Sequence, residues 1–361
     1  MLRQGSAPSV TAVVVNHNGG EHVLQTMEAL CGQSSPPASI ILVDSGSDDG
    51  SPERVAAGYP DTVICRLPSN RGPAAARNKG LAVASTDLVL LLDVDIYPDR
   101  DCLARLLQAY QNERPSVVCP RILLLPEEDV VHCDGAEAHF LGTMSLRNGY
   151  RPLSEVSGEV RAPVRACGSA CLLVDRLGVL QAGGFDELYF FYFEDLEFSI
   201  RLRASGHRLL WEPSAVVRHD RGEGTPGLSY RGARAYPARR AYLTLRNRLL
   251  TIGIHYRLWT ILVLSPALAL YEAATIFVCL QRGWGGQWLR AWAWQVRNVR
   301  RIMERRRRSQ RARILRDREI LAGGPVPLAP GFTSSRPQMA AVAVLSAALG
   351  AYWRLARHVI C

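Results

Sequence analysis

Lysine is nearly absent. Lys79 is the sole one among 43 basic residues, and arginine supplies the rest, a bias that carries no mechanism on its own. The nine cysteines include no C-x-x-C pair, and their odd number fits neither a disulfide framework nor a zinc scaffold. A reduced, intracellular setting is expected. No internal repeat is present. The first apolar run, residues 10–15, is only strand-length and lacks a cleavage-like flank, so no signal peptide is expected. With 48% apolar and 21% charged residues, the chain is too apolar for wholesale disorder. Its 361 residues suffice for one large domain with an appendage, or for two modest domains.

Charge divides the chain. The formal net charge is +10, yet residues 221–361 hold 24 arginines against five acids, which leaves the first 220 residues at −9. An acidic body with a strongly basic tail points to two jobs.

In the body, short apolar runs at 10–15, 40–43, 63–67 and 88–92 read as strands, and 21–31, 53–57 and 74–83 read as helices. Strands that do not alternate, separated by helices, predict a mainly parallel sheet covered on both faces. Further strands are expected near 117–119 and 171–174, a helix near 194–204, and a loop-rich insert over 126–165. Residues 222–240, rich in Gly, Pro and Arg, read as a mobile or linking segment.

Ligands of such sheets collect at the carboxyl ends of the strands, and polar clusters sit there. Asp93-Val94-Asp95 follows Leu88-Val89-Leu90-Leu91-Leu92, and two carboxylates at a buried strand end suit a hard divalent cation; a strand-ending turn is the other use of this pattern. Asp44 ends a strand and opens the loop Ser45-Gly46-Ser47-Asp48-Asp49-Gly50-Ser51. A carboxylate there can accept hydrogen bonds from a base or ribose, while Asp48-Asp49 can equally cap the next helix. Asn70-Arg71-Gly72-Pro73 reads as a turn into a small-residue helix, from which Arg71 or Arg77 could face phosphate or solvent. Glu194-Asp195-Leu196-Glu197 lies among Phe185, Tyr189, Phe190, Phe191, Tyr192, Phe193 and Phe198. Acids in aromatic surroundings gain proton affinity, as a general base requires, unless the helix is simply a surface one whose acids sit in its first turn. His219, ending Ala215-Val216-Val217-Arg218, is a metal ligand or a structural histidine.

Taken in order, Val13-Val14-Val15-Asn16-His17-Asn18, Leu42-Val43-Asp44-Ser45-Gly46-Ser47-Asp48-Asp49-Gly50-Ser51, Asn70-Arg71-Gly72 and Asp93-Val94-Asp95 resemble family 2 glycosyltransferases of the GT-A fold. Gly168-Ser169-Ala170-Cys171-Leu172-Leu173-Val174, Gly183-Gly184-Phe185-Asp186-Glu187, Phe193-Glu194-Asp195-Leu196-Glu197-Phe198 and His219 continue the likeness, which covers roughly residues 10–255 and is nearest to bacterial rhamnosyltransferase-like enzymes of cell-surface glycan synthesis. The resemblance implies that Asp44 holds the nucleotide base, flanked by Val15 and Asn16. It places Asn70, Arg71, Gly72, Arg77, Asn78, Asp93 and Val94 in the nucleotide-sugar site. Asp93, Asp95 and His219 are implied to hold Mg²⁺ or Mn²⁺, and Asp195 to be the catalytic base beside Glu194. Gly168, Ser169 and Glu197 are implied to meet the acceptor. Glu197 stands where the family often has Asp, and His219-Asp220-Arg221-Gly222-Glu223-Gly224 lacks the serine of the family's loop.

The expected architecture is α/β: a GT-A type, mainly parallel mixed sheet flanked by helices over 1–240, with a nucleotide-sugar half to about 115 and an acceptor half beyond. A basic, apolar helical region over 241–361 is expected to associate with the membrane. The expected activity is inverting transfer from a UDP- or dTDP-linked sugar to a lipid-linked or polysaccharide acceptor. A nucleotidyltransferase is disfavoured because residues 13–20 carry no Lys or Arg, and an inactive membrane-surface scaffold because Asp93, Asp95 and Asp195 are intact.

In the tail, residues 258–280 form an apolar stretch interrupted by Pro266 and Glu272, and residues 339–353 form a second, shorter one; the arginine block lies between them. Two crossings would place that block away from the cytosol, against the positive-inside rule. Helices lying in the interface of an anionic membrane are therefore expected, peripheral or monotopic on the cytoplasmic face of the inner membrane, and nucleic acid is not the expected partner.

Overall fold

The computed structural model describes residues 8–220, 236–328 and 335–360. Most of the linking segment expected at 222–240 and the loop after Asp220 fall outside these residues. In chain order the elements are β1 (Val10–Asn16), α1 (His22–Cys31), β2 (Ser39–Asp44), α2 (Ser51–Gly58), β3 (Val63–Arg66), α3 (Pro73–Val83), β4 (Leu88–Asp93), β5 (Ile96–Pro98), α4 (Cys102–Glu113), β6 (Val117–Leu125), β7 (Val131–Cys133), β8 (Ala136–His139), β9 (Thr143–Leu146), β10 (Ala162–Pro163), β11 (Cys171–Asp175), α5 (Arg176–Gln181), α6 (Glu194–Ala204) and β12 (Leu209–Asp220). They continue as α7 (Ala238–His255), α8 (Leu258–Gln281), α9 (Gly285–Arg297), α10 (Val299–Arg311), α11 (Asp317–Ile320), β13 (Leu321–Ala322) and α12 (Arg336–Ala356).

The chain gathers into two units. The first comprises Met1–Ala136, Leu146–Phe198 and His207–Gly222. Its sheet runs β10-β12-β6-β11-β4-β1-β2-β3, with β5 on β12 and β7 on β6. The block β4-β1-β2-β3 is parallel, β12 is parallel to β6, and β11 is antiparallel to both its neighbours. A GT-A type mixed, mainly parallel sheet flanked by helices is what the sequence led us to expect. The apolar strands explain it: Ala12, Val14, Leu42, Leu90 and Leu92 are fully buried, as are Met27 and Leu30 of α1 and Leu106 of α4 that pack on the same core.

Two expectations needed adjusting. β6 runs on past Cys119 to Leu125, because Pro120 is absorbed where the register with β12 shifts between Glu212 and Val216. Residues 126–165 hold several short strands, each too brief to show a period in the sequence.

The second unit comprises Glu137–Ser145, Ser199–Gly206 and Glu223–Cys361. Helices α8 and α12 are both long and apolar enough to cross a membrane, and Leu258, Leu262, Phe277, Leu280, Val344 and Leu355 are all exposed. The one acid of α8, Glu272, is tied to its neighbours: Arg248 of α7 donates to Oε2 at 2.7 Å, and Trp288 and Trp292 of α9 donate to Oε1 at 2.7 and 3.2 Å. Tyr352 of α12 donates to the Val263 carbonyl of α8.

Helix α3 lies against β1 through Gly80, where a Cβ would meet Val13 Cγ1 at 2.2 Å. Overpacking of this kind costs about 1–3 kcal/mol, more than the ~1 kcal/mol that helix propensity returns on replacing glycine. Gly80→Ala is therefore expected to destabilise the protein. Gly58→Ala, at the end of α2 with open space around it, is expected to be neutral or mildly stabilising. Urea unfolding of the two variants side by side checks both signs.

Candidate active site

Register alone sets the first part of the site. β1 pairs with β2 and β4 so that Asn16 lies opposite Asp44, and Val15 opposite Asp93. The carboxylates of two strands and the amide of a third thus reach the same sheet edge. It is also the place where chain order reverses, β2 and β3 lying to one side of β1 and β4 to the other.

Asp44 is 2% exposed and tightly held. Its Oδ1 accepts from Asn16 Nδ2 at 3.0 Å and from the Ser47 hydroxyl, and its Oδ2 accepts from Ser47 N at 3.2 Å. Asn16 Nδ2 also lies 2.9 Å from Ser51 Oγ. Asp49 joins the loops after β1 and β2, accepting from Gly20 N at 2.8 Å and from the Ser51 hydroxyl and amide, which hold its carboxyl below the usual range despite burial. Among the described residues, Asn16 Oδ1 and Ser45 Oγ are buried without a hydrogen-bond partner. They are positions a bound molecule could satisfy.

Helix α3 builds the second part. Arg77 is 1% exposed; its Nη2 is 2.6 Å from Asp93 Oδ1 and its Nη1 is 3.4 Å from Glu194 Oε1. Its guanidinium also lies over the Phe185 ring, which stacks on Phe198 at 4.1 Å. Arg77 thus faces carboxylates, where the sequence had left phosphate or solvent as its partners. One turn position on, Asn78 donates to the Phe185 carbonyl and Glu187 Oε1 and accepts from Phe185 N, and Arg71 pairs with Glu187 at 2.7 Å. The turn before α3 presses on the chain at Phe190: a Cβ on Gly72, at φ +85°, would fall 2.0 Å from the Phe190 carbonyl oxygen. Asn70 Oδ1 accepts from Gly72 N within that turn.

The segment leading into α6 is strained. Phe190, Tyr192 and Phe193 all have φ between 62° and 68°, a region that costs a non-glycine residue about 1 kcal/mol or more. The strain delivers Glu194 and Asp195 to Arg77. Glu194 and Glu197 are buried and Asp195 is half-buried, so this is no surface helix with its acids in water. Burial, and then the neighbouring Asp195, push the Glu194 carboxyl up to about 7 against the pull of Arg77. Asp195 and Asp93 are raised too, burial being the largest cause for each. Three acids share one buried cation, and that imbalance keeps their proton affinity high.

The third part comes from β5 and β12, which pair so that His219 lies opposite Ile96. Asp95, one residue before Ile96, has its Oδ2 3.3 Å from His219 Nε2, and its carbonyl accepts from Asp220 N. Two adjacent ligands of a divalent ion at about 2.1 Å each stand about 3 Å apart, so this pair fits such an ion. The expected third member, Asp93, is turned to Arg77, and among the described residues no three His, Cys, Asp or Glu side chains gather as a metal site. Of the implied ligand set, Asp95 and His219 stand together, and Asp93 is paired with Arg77.

Asp93 N donates to the Ala170 carbonyl at 2.9 Å, which brings Gly168 and Ser169 beside the strand end; Ser169 and Glu197 are 5% and 2% exposed. Val94 anchors α1 through its carbonyl, which accepts from the Thr26 hydroxyl. The sequence reading missed His132 of β7, whose Nδ1 lies 3.0 Å from His219 Nδ1. A histidine on a three-residue strand within weakly patterned sequence gave no signal.

Replacing Arg77 by Met leaves buried carboxylates without their cation, and a loss of about 3–5 kcal/mol near neutral pH is expected in denaturant unfolding. Glu194 has the opposite sign. Its carboxyl holds a proton in the fold up to about pH 7, whereas an unfolded glutamate releases it near 4.5. Its contribution to stability is complete below about 4.5 and is lost as pH rises to about 7. Glu194→Gln is accordingly expected to gain stability relative to the parent across that window, as melting curves over pH would show.

Residues 11–130 match the family model "Glycosyl transferase family 2". The chain is 33% identical over 223 residues to a pre-mycofactocin glycosyltransferase of Mycobacterium tuberculosis, an alignment covering 60% of this chain and 44% of that protein. It is 27% identical over 236 residues to the N-acetylglucosaminyl-diphospho-decaprenol L-rhamnosyltransferase of the same organism, covering 59% and 76%. The chain therefore spans less than half the length of the first of these relatives. Its fold is shared with GalNAc-T7, solved with UDP, GalNAc and Mn²⁺, at a TM-score of 0.57 and 16% identity over 74% of this chain and 51% of that one. The family match spans the motifs from Asn16 to Asp95, and with the two relatives it shows that residues 11–130 carry a family 2 glycosyltransferase domain.

Proposed function

We propose that this chain moves a sugar from a nucleoside-diphosphate donor to a hydroxyl of a lipid-linked or polysaccharide acceptor, by a single displacement with inversion. One observation carries the reading: Arg77 draws Asp93 and Glu194 together from distant parts of the sequence, with Asp195 next to them. The rhamnosyltransferase relative, whose name specifies a decaprenol-linked substrate, supports the lipid-linked acceptor.

Asp44 is positioned to accept the imide proton of a uracil or thymine base, with Asn16 Oδ1 and Ser45 Oγ as further unmet groups beside it. Arg71 and Asn70 stand at the turn entering α3, beside the path of the diphosphate. Asp95 and His219 would hold Mg²⁺ or Mn²⁺, leaving its other positions to phosphate oxygens and water. Such a cation, when bound, neutralises negative charge growing on the leaving diphosphate. Asp195 takes the proton of the acceptor hydroxyl as its oxygen bonds to C1 of the sugar; the bond from C1 to the phosphate oxygen breaks and the diphosphate leaves with the electron pair. Burial suits Asp195 to this role, because it raises the proton affinity of its carboxyl. Glu194 holds Arg77 in place, and Gly168, Ser169 and Glu197 shape the acceptor side.

The same reading seats the C-terminal unit on an anionic membrane surface, at the cytoplasmic face of the inner membrane. Helices α8 and α12 would lie in the interface instead of crossing. Glu272 of α8 is bonded by α7 and α9, so a crossing α8 would carry Arg248 and its neighbours into hydrocarbon at about 2.5–3.5 kcal/mol per charge.

Asp195→Asn is expected to lower turnover by about 10²–10⁴-fold while nucleotide binding persists, measured as transfer rate alongside UDP affinity. Near-normal turnover removes Asp195 as the base. Membrane fractions from expressing cells are expected to keep the chain in high salt and release it in carbonate; carbonate resistance would establish a crossing.

A further inference from the structure

His132 lies outside the residues that the family likeness brings forward, yet its ring stands against one of them, His219. The ring centroids are 4.9 Å apart, and the two Nδ1 atoms face each other at 3.0 Å. The two histidines come from β7 and β12, which pair with opposite edges of β6. Two facing ring nitrogens at that distance form a hydrogen bond only if one carries the proton and the other presents its lone pair. The far nitrogen of His219, Nε2, points at Asp95 Oδ2 from 3.3 Å.

A nitrogen that binds a cation does so through its lone pair, which fixes the ring's proton on the other nitrogen. We infer that His132 is a positioning residue for the divalent-cation pair: its Nδ1 accepts the Nδ1 proton of His219 and so holds the Nε2 lone pair toward Asp95. This rests on the reading of Asp95 and His219 as cation ligands and adds to it the group that sets the tautomer. No proton is gained or lost by the pair; the bond only selects which His219 nitrogen keeps it. Without an acceptor at this place, His219 is free to carry its proton on Nε2 and donate it to Asp95, which closes the edge that a cation needs.

The test is Mn²⁺ alone, titrated into the full chain with free Mn²⁺ counted by electron paramagnetic resonance. His132→Phe keeps a ring against His219 but offers no acceptor, and His132→Asn restores an acceptor oxygen close to the place of Nδ1. The expected result is a loss of Mn²⁺ affinity of about 10-fold or more for His132→Phe, an affinity for His132→Asn within about 3-fold of the parent, and metal-free melting temperatures alike in all three. If His132→Phe melts early, His132→Leu takes its place. Parent-like affinity in the variant lacking an acceptor, or an Asn variant as weak as it, overturns the inference. Asp95→Ala separates the two levels. If it leaves Mn²⁺ affinity unchanged, the ligand pair itself is wrong and the inference falls with it. If it abolishes binding while His132→Phe has no effect, only the role of His132 is overturned.

Discussion

One guanidinium holds the site together. Arg77 is almost wholly excluded from water, and such a charge is tolerable only beside counter-charges, which Asp93 and Glu194 provide from a strand end and a helix start. Burial raises the proton affinity of all three acids around it, that of Glu194 to about 7. The arrangement serves fold and chemistry alike. It pins α6 to the edge of the sheet, and in the proposed mechanism it surrounds Asp195 with the burial that raises a base's proton affinity.

Helix α3 does much of the joining. Its start is flattened against Phe190 by Gly72, its middle supplies Arg77 and Asn78, and its far end lies on β1 through Gly80. A helix with so many small residues contributes little apolar area of its own, but it lets neighbouring backbone come close. That closeness accommodates the three aromatic residues held at positive φ before Glu194. Backbone strain of this kind persists only where surrounding contacts over-determine it, and the pairs formed by Arg71, Asn78 and Glu187 supply those contacts.

Much of this was legible in the sequence, for a physical reason. Asp44 and Asp93 each follow a run of buried aliphatic residues, so the end of the run marks the sheet edge where they must emerge. The helix expected near 194–204 forms as α6. The partner of Arg77 was not, since a charge in a small-residue helix has the same local pattern whether it meets solvent, phosphate or a carboxylate. Nor was the pairing of Asp93 with that arginine. His132 was hidden because β7 is three residues long, and pairing across β6 leaves no trace in local periodicity. The second unit's claim on Glu137–Ser145 and Ser199–Gly206 was equally invisible, since it depends on contacts far apart in the chain.

The central claim is that these carboxylates and His219 surround a place for a sugar nucleotide and a divalent cation. Thermal melting of the full chain with Mn²⁺ across a panel of nucleoside-diphosphate sugars measures it directly. Binding at a hundredfold above its dissociation constant adds about 2.7 kcal/mol, a rise of about 3–4 °C for a chain of this size. At least one donor should produce that rise with Mn²⁺ present and lose it when the metal is chelated. An unchanged melting temperature for every donor, with and without metal, would contradict the account.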